Sequence, residues 1–503
     1  MATFILGIAI LILGGAIYGR FCEKVFEPDN RKTPAFTKQD GVDYVPMKKW
    51  KNMLINLLNI AGTGPIFGPI QGILFGPIAF ITIPLGNIIG GAMHDYFSGM
   101  ICLRDGGTQM PEMIRKYSNN GIYAFYQIFV SVLLLLVGAV FIYTPGDIAA
   151  TQVFGFSGSA TSISTWVIYG VIFVYYLIST VFPIDKIIGK IYPIFGSILL
   201  LSAIGVFVGI FTKDYPLLNL WESWQTPLAF TMSGGVKTAF SYADYFKLNN
   251  FLPTFFITVA CGILSGFHST QTSIISRTMK SEKEGRSTFY NMMVLEGFIA
   301  MVWAAAAMGV YNLGIQEANA NLSTSTVGII CRDILGNVGG VIALLGIIVL
   351  PITSGDTALR GLRMTIAESF HIDQSTNKKR FILSSVIFAI VTAILIFAKN
   401  NANGFAVLWR YFAWSNQALS LFAFLAIAIW MFENGKKRYV WMPLIPGSFY
   451  TFVTISYIMN AKIGFNFPWT ASYIIGLVAA FGYVYAILWY GKKRSMCVHR
   501  LLK

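Results

Sequence analysis

The sequence predicts an all-α polytopic membrane protein with about 13 transmembrane helices. Of its 503 residues, 55% are hydrophobic and only 12% are charged, and soluble domains carry about twice that charged share. The mean hydropathy is +0.63. Apolar runs of roughly 17–25 residues, the length that crosses a bilayer, recur along the whole chain. These observations exclude a soluble globular domain.

The predicted spans follow one another from the first residues to the last. They start near Thr3, Asn52, Pro77, Ile122, Ser162, Ile187, Phe251, Ser287, Asn337, Phe381, Gly404, Val440 and Phe467. The segment from Asn321 to Gly336 is a candidate for one short extra helix. The first apolar stretch does not match a signal peptide, because no basic n-region precedes it and Arg20 and Lys24 follow it.

The net charge of +15 is explained by membrane topology and excludes a nucleic-acid partner. Basic residues concentrate on alternate loops, such as 48–51, 436–438 and 492–494, whereas the loop from Tyr143 to Trp166 has none. Cytoplasmic loops are enriched in Lys and Arg. The sequence therefore predicts an outside N-terminus, a cytoplasmic C-terminus and a multi-pass position in a lipid bilayer.

Two apolar runs are interrupted by clusters of residues that break helices. The first interruption is G-T-G-P-I-F-G-P (Gly62 to Pro69) and the second is S-G-F-H-S-T (Ser265 to Thr270). Proline removes a backbone donor, and glycine frees the backbone. Non-helical backbone at membrane depth is tolerated only where it is buried in protein or lines a water-filled cavity. Paired breaks in two halves indicate the binding site of a secondary transporter, although a proline-kinked helix packed through its glycines is the simpler alternative for the first break.

The predicted substrate-binding residues come from these two breaks. Neither break contains Asp, Glu, Lys or Arg, so a carboxylate would be held by helix ends, hydroxyls and His268. The predicted residues are Gly62, Thr63, Gly64, Pro65 and Gly68 in the first break, and Ser265, Gly266, Phe267, His268 and Ser269 in the second.

The breaks fall in the second and seventh predicted spans, five spans apart. Five is odd, so two five-span halves must have inverted topology, as in LeuT-type transporters. The third spans of both halves share a Thr-x-Gly-Asp ending, at Asp147 and Asp356. The predicted organisation is an extra helix (1–22), a cytoplasmic segment (23–51), the first repeat (52–212), an extracellular loop (213–250) that forms a lid or hairpin, the second repeat (251–431), and two helices with a tail (432–503).

Ionisable residues at membrane depth are candidates for ion coupling. The predicted residues are Asp95, Glu296, Thr353, Ser354 and Asp356. In LeuT-type architecture, a sodium ion lies between carbonyls of the first broken helix and hydroxyls such as those of Thr353 and Ser354. A titrating carboxylate is the alternative, which makes H⁺ the expected coupling ion and Na⁺ the second choice.

Each of these acidic residues also has a purely structural interpretation. Asp95 and Asp356 would then pair with Arg104, Arg360 or Arg363, and for Asp147 this interpretation is the preferred one. For Glu296 we expect a buried structural hydrogen bond. The run W-R-Y-F-A-W-S-N-Q (Trp409 to Gln417) is either an interfacial aromatic anchor or an outer gate. The five cysteines have no metal-ligand spacing and are expected to be free thiols.

Several motifs resemble the carbon starvation protein A family of bacterial peptide and pyruvate transporters. They are R-K-T-P-A-F-T-K-Q-D-G-V-D-Y-V-P (Arg31 to Pro46), A-G-T-G-P-I-F-G-P (Ala61 to Pro69), G-G-A-M-H-D-Y (Gly90 to Tyr96), A-C-G-I-L-S-G-F-H-S (Ala260 to Ser269) and N-Q-A-L-S (Asn416 to Ser420). Asp95 matches the family, whereas His94 replaces an expected glutamine. The family also has a longer C-terminal region than this chain.

The resemblance implies a LeuT-like secondary transporter of a bacterial inner membrane that takes up pyruvate, amino acids or short peptides by alternating access with protons. A non-transporting nutrient sensor and a divalent-metal transporter on the same fold are the alternatives; the latter would favour Asp, Glu or Met in the breaks. No nucleotide-binding, zinc-hydrolase or nucleophile-elbow motif occurs in the sequence. We therefore expect no enzymatic activity, no cofactor and no ATPase subunit.

Overall fold

The computed structural model describes residues 1–41, 43–181, 184–231, 236–319, 324–374, 376–401 and 403–501, with the backbone alone at 180, 181, 184–193, 368 and 497–501. The all-α membrane class is confirmed, because apolar helices fill most of this part of the chain. In the first half the helices are α1 (Ala2–Phe26), α2 (Pro34–Thr37), α3 (Lys49–Ala61), α4 (Gly64–Gly72), α5 (79–104), α6 (Met110–Tyr117), α7 (Asn120–Val153), α8 (Ile163–Val181) and α9 (Ile184–Thr212).

The second half begins with two strands, β1 (Leu228–Thr231) and β2 (Lys237–Phe240). It continues with α10 (Tyr242–Leu248), α11 (Phe251–Val259), α12 (Gly266–Ile275), α13 (Asn291–Asn312), β3 (Ala318–Asn319), α14 (Ser325–Ser369), α15 (Asn377–Asn400), α16 (Gly404–Glu433), α17 (Trp441–Asn460) and α18 (Trp469–Leu501). A residue with positive φ, Gly336 (φ +71°), bends α14, so Ser325 to Leu335 form a short extra helix within the segment that the sequence allowed. The first residues of that segment, 321–323, lie outside the described residues.

Ten helices of the described chain are long and apolar enough to cross a membrane, or eleven if α3 and α4 are one span bent by 49°. Helix α5 and the shorter apolar helix Ile163–Ser179 are not among the ten, although both lie where spans were predicted. Thirteen spans and the inverted repeat therefore remain predictions. The first helix continues beyond the predicted boundary at residue 22 and ends at Phe26, because Glu27 takes a left-handed conformation (φ +60°) before Pro28.

Burial separates central helices from peripheral ones. In the span Glu282–Asn312, which includes α13, 83% of the apolar window is buried, whereas in Trp469–Met496 the value is 22%. The buried alanines Ala304 to Ala307 allow neighbouring helices to approach α13 closely. The last helix is therefore a peripheral element, and α13 is a central one.

One end of the helix bundle, the sheet face, carries the small β-sheet. Strand β1 pairs antiparallel with β2 and parallel with β3. Lys237 Nζ lies 2.9 Å from Glu317 Oε1, and Thr231 Oγ1 donates to Glu317 Oε2 at 3.0 Å. These two hydrogen bonds hold the pKa of the Glu317 carboxyl below its usual value. Phe75, after α4, packs edge-to-face on Tyr245 of α10. The segment predicted as a lid or hairpin thus folds as a hairpin and a short helix over the end of the first broken span.

At the opposite end, the basic face, residues 27–41 and 43–48, which we call the strap, pack against the segment that follows α12. The backbone N–H of Met47 donates to Thr278 O (3.0 Å), and Thr33 Oγ1 donates to Met279 O (2.6 Å). Buried Glu282 accepts two hydrogen bonds from Arg104, from Nε at 3.0 Å and from a terminal nitrogen at 2.9 Å. The backbone N–H of Asp29 donates to the same carboxylate at 3.0 Å. Glu282, at the start of the span Glu282–Asn312, therefore joins the strap to the end of α5.

We expect Glu282→Ala to destabilise the protein, because it leaves the largely buried Arg104 charge without its partner. Removing one member of a buried ion pair costs about 3–5 kcal/mol. The control is Glu112→Ala, which removes an exposed pair with Arg115 at 3.6 Å and should cost less than about 1 kcal/mol. Thermal unfolding of the detergent-solubilised protein compares the two, and equal melting temperatures would contradict the structural role of Glu282.

We also expect Gly68→Ala to lower the melting temperature, since the added Cβ would lie 2.6 Å from the carbonyl oxygen of Val259. Backbone cannot move aside as a flexible side chain can, and overpacking typically costs about 1–3 kcal/mol. Gly482→Ala is the matched control in α18, where an added Cβ meets no atom within 4 Å. This variant should be neutral or slightly stabilising. A Gly68→Ala protein as stable as the control would mean that the two helices are not in close contact.

Candidate functional site

The two broken spans run antiparallel and contact each other through glycines. An added Cβ would lie 2.2 Å from Cys261 Cβ at Gly64, and 2.4 Å from Val259 Cγ2 at Gly72. Residue numbers that increase along α4 thus contact residue numbers that decrease along the second broken span, as expected for antiparallel helices. Gly62, with φ +44°, separates α3 from α4 and lies under Phe141. A break is therefore present in the first span, as predicted, rather than a mere proline kink.

The glycines predicted to bind substrate have a packing role in this conformation. Gly64 and Gly68 are in contact with the second broken span, and Pro65 occupies the first turn of α4. Thr63 is buried, and its Oγ1 has no hydrogen-bond partner in the described part of the chain. Among the predicted residues of this break, Thr63 is thus the one with an unsatisfied side-chain group.

Carbonyls freed by the breaks accept hydrogen bonds from other helices. Ser354 Oγ donates to Leu58 O at 2.8 Å. Asn87 Nδ2 donates to Gly262 O at 3.1 Å. Gln417 Nε2 donates to Leu264 O at 3.1 Å. Three helices, α5, α14 and α16, thereby stabilise irregular backbone that hydrocarbon cannot satisfy.

The second break is held mainly by α16. Ser265 Oγ donates to Asn416 Oδ1 at 2.9 Å, and the backbone N–H of Phe267 donates to the same oxygen at 3.3 Å. Gly266 lies against the backbone N of Ser420, which an added Cβ would approach to 2.5 Å. Ser269 Oγ donates to Gly266 O. Asn416 was not among the predicted site residues, although the amide side chains after the aromatic run were a signal for it.

His268 lies at the centre of a buried titratable cluster. Its Nδ1 is 3.0 Å from Asp95 Oδ2, and its Nε2 is 3.6 Å from Glu296 Oε2. Asp95 Oδ1 is 2.8 Å from His94 Nδ1. All four side chains are fully buried. The structure thus brings predicted residues from α5, α12 and α13 together at the second break.

For Asp95 the structural alternative is not realised, and for Glu296 the expectation is wrong. Asp95 does not pair with Arg104, because that guanidinium is bound to Glu282 and Asp95 faces the two histidines. Glu296 does not make the expected buried hydrogen bond, since both of its carboxyl oxygens lack a partner within the described residues. His94, in turn, contributes directly to the cluster. A buried carboxyl without a hydrogen bond is costly, so Glu296 is a functional candidate rather than a structural one.

Asp356 and the hydroxyls near it lie at α14. Ser179 Oγ donates to Asp356 Oδ1 at 2.6 Å, and an Arg360 nitrogen is 3.9 Å from that oxygen. Thr353 Oγ1 donates to Leu350 O within the helix. Asp356 therefore has the arginine neighbour of the structural interpretation. Ser354, by contrast, contacts the Leu58 carbonyl of the first broken span.

Asp147 has a structural environment, as preferred from the sequence. Lys399 Nζ lies 2.7 Å from Asp147 Oδ1, and Thr324 Oγ1 donates to Oδ2 at 2.5 Å. The Lys399 ammonium also lies 4.8 Å from the centre of the Tyr143 ring. This buried pair joins α7 to α15, away from the breaks. The cysteines Cys22, Cys102, Cys261 and Cys331 are free thiols, as expected, whereas the side chain of Cys497 lies outside the described part of the chain.

Two cavities approach the breaks from opposite ends of the bundle. A cavity of about 90 Å³ at the basic face extends from the strap to Asn59, Thr270 and Gln271. A cavity of about 330 Å³ at the sheet face extends to Thr258. None of the predicted substrate residues lines either cavity. The packed breaks thus separate two vestibules.

Comparisons with known proteins agree with this architecture. The family model "Carbon starvation protein CstA" matches residues 1–206, 225–330 and 314–457. An uncharacterized membrane protein of Haemophilus influenzae is 39% identical over 62% of this chain and 91% of its own length. "Peptide transporter CstA" of Campylobacter jejuni is 23% identical over 89% of this chain and 78% of its own length.

A solved manganese transporter of Eremococcus coleocola, in complex with an aromatic bis-isothiourea substituted compound, superposes with a TM-score of 0.58 and 9% identity, covering 92% of this chain and 99% of the other. At that identity the likeness concerns the fold alone. The relatives named as peptide transporters support membrane transport, and the solved structure supports the multi-pass helical fold. The family model covers most of the sequence, and the chain therefore belongs to the carbon starvation protein CstA family.

Proposed function

We propose that the protein is a secondary active transporter that imports small carboxylate-bearing nutrients by alternating access, driven by protons. Pyruvate, amino acids and short peptides are the substrate candidates. The observation that carries the proposal is the buried cluster of His268, Asp95 and Glu296 at the second break, between vestibules that approach from opposite faces.

The orientation follows from charge and from contacts of the termini. The N-terminal ammonium donates to Leu217 O on the sheet face, while Arg494, near the C-terminus, bonds Glu433 on the basic face. Cytoplasmic loops are the basic ones. We therefore assign the basic face and the strap to the cytoplasm of a bacterial inner membrane, and the sheet face to the outside.

Proton coupling is supported by the chemistry of the cluster. Imidazole is the side chain whose charge changes most readily near neutral pH, and ionisable groups buried in a membrane are characteristic of proton relays. Asp95 bridges two imidazoles, and Glu296 lies next to the free ring nitrogen of His268. A proton arriving on His268 would change the charge at the second break, where Ser265 and Phe267 are held by Asn416.

Substrate binding at the breaks requires that the present packing opens. A substrate carboxylate would be bound by backbone N–H groups at the start of α4 and α12, with Thr63 and Ser269 as hydroxyl partners. The curated relatives named as peptide transporters support a ligand with a free carboxylate. Sodium is the alternative coupling ion, with Ser354 and the Leu58 carbonyl as neighbouring oxygen ligands.

A divalent-metal substrate is suggested by the fold of the manganese transporter but not by the residues of this chain. Within the described ranges, no group of three or more His, Cys, Asp or Glu side chains is arranged to hold a metal ion. The carboxylate proposal is therefore preferred. A non-transporting nutrient sensor would bind the same ligands without accumulating them.

Proteoliposomes containing the purified protein test the proposal. We expect accumulation of labelled pyruvate, alanine or alanyl-alanine when the lumen is more alkaline than the medium, and none when only a sodium gradient is applied. Accumulation driven by sodium alone would overturn proton coupling. Binding of these compounds without uptake under any gradient would support the sensor instead, and uptake of Mn²⁺ alone would support the metal transporter.

We expect Glu296→Gln and Asp95→Asn to reduce proton-driven accumulation by about tenfold or more, while exchange of internal for external substrate continues. The reason is that exchange needs the conformational change but no net proton movement. Glu112→Gln, at an exposed carboxyl, is the matched control and should behave as wild type. Asp356→Asn is measured in parallel, and if it alone uncouples accumulation, the proton carrier is Asp356 and the cluster has another role.

A further inference from the structure

The sheet-face cavity is a polar chamber with an uncompensated positive charge. Of the described residues that line it, Arg410 and Lys462 are cations and none is Asp or Glu. Arg410 is half-buried and makes no hydrogen bond or ion pair with the described residues, and Lys462 likewise has none. Two cations that share one concave wall without a counter-ion raise the local concentration of anions.

The remaining walls suit a small organic anion rather than a bare inorganic one. Aromatic rings and amides line the cavity alongside the cations, namely Tyr245, Tyr457, Trp409, Trp469, Gln71, Asn249 and Asn460. Aromatic walls offer apolar contact area, and the amides offer donors and acceptors. The volume of about 330 Å³ is at the low end of ligand pockets, which favours a compact ligand.

The floor of the cavity separates it from the breaks. Trp409 lies edge-to-face on Phe67 of α4, with ring centroids 6.0 Å apart, and Phe67 is buried. Thr258, which also lines the cavity, lies on α11, seven residues before Ser265 at the start of the second break. Trp409 and Arg410 are adjacent on α16. Asn416, six residues after Arg410 on the same helix, accepts the hydrogen bond from Ser265. The chamber therefore ends one aromatic layer above the residues of the proposed substrate site.

We infer that this chamber is a second, peripheral carboxylate-binding site, in which Arg410 and Lys462 hold the ligand above the Trp409–Phe67 layer. A guanidinium binds a carboxylate through two parallel N–H···O bonds, and Arg410 has its donors available for that purpose. The ligand is a small organic carboxylate with an apolar or amide-bearing body. In taking this ligand to be the transported nutrient, the inference rests on the proposed function.

A cysteine in the cavity wall makes the site measurable without transport. Ala461 lines the cavity, and Ala461→Cys can be modified by methanethiosulfonate reagents of opposite charge in the full chain in nanodiscs, with the unsubstituted chain as background. We express each modification rate relative to the rate of the same reagent with a free thiol in solution. On that scale we expect the anionic reagent to react about tenfold faster than the cationic one. Millimolar pyruvate or alanyl-alanine should slow both reactions, and the same concentration of chloride should not.

Matched charge removals assign the effect to the chamber. In the Ala461→Cys background, Arg410→Gln and Lys462→Gln should each lower the ratio of the anionic to the cationic modification rate. Arg410→Gln should also abolish protection by carboxylates, and Arg410→Lys should retain part of it. Lys247→Gln removes a charge from the same face but outside the cavity lining and should change neither result. Protection equal to that by chloride, or protection that survives Arg410→Gln, would overturn the inference.

The result is separable from the proposed function. If carboxylates protect Ala461→Cys but proteoliposomes show no uptake, the peripheral site stands and the transport proposal fails. If uptake occurs but carboxylates do not protect Ala461→Cys, the transport proposal stands and the peripheral site fails. When both are present, Arg410→Gln should raise the KM for uptake about tenfold with little change in maximal rate, since the variant impairs capture and not the later steps.

Discussion

The lack of water in a bilayer is the constraint on which the rest of this structure depends. Two helices are broken at membrane depth, and their freed carbonyls must be satisfied by protein. Ser354, Asn87 and Gln417 each donate to one of these carbonyls, at Leu58, Gly262 and Leu264. The helices that carry these donors are thereby required to pack around the breaks. The architecture of the centre follows from hydrogen bonding as much as from apolar burial.

Close contact between the breaks is the second consequence. The glycines at 64, 68 and 72 face α11 and Cys261 at distances that no side chain would permit. Their contacts are those of a packed conformation, and the same residues can present backbone N–H groups only after the spans separate. Thr63 is buried, and its hydroxyl has no hydrogen-bond partner among the described residues, which is the reason it is proposed as a substrate contact.

Buried charges fall into two kinds. Asp147 with Lys399, and Asp356 with Ser179 and Arg360, have partners that stabilise helix packing. The cluster around His268 differs, because Asp95 is shared by two imidazoles and Glu296 has no hydrogen bond among the described residues. Groups whose charge is not fixed by a permanent partner can change it during a transport cycle. The presence or absence of a permanently charged partner therefore distinguishes a structural ion pair from a candidate for proton coupling.

The sequence by itself determined the membrane class, the places of the helices, the two breaks and the resemblance to the family, because hydropathy, glycine, proline and loop motifs act locally along the chain. Sequence did not determine which side chains meet. An arginine was the alternative partner for Asp95, and a buried structural hydrogen bond was expected for Glu296, yet both carboxyls lie at His268. Asn416 proved to be the residue that holds the second break. His268 and Asp95 are 173 positions apart, and Ser265 and Asn416 are 151 apart, while Glu296 lies on a different helix from His268. Only the packing of α5, α12, α13 and α16 therefore decided these contacts. The physical reason is that helix formation is local, whereas the satisfaction of buried polar groups depends on which helices become neighbours.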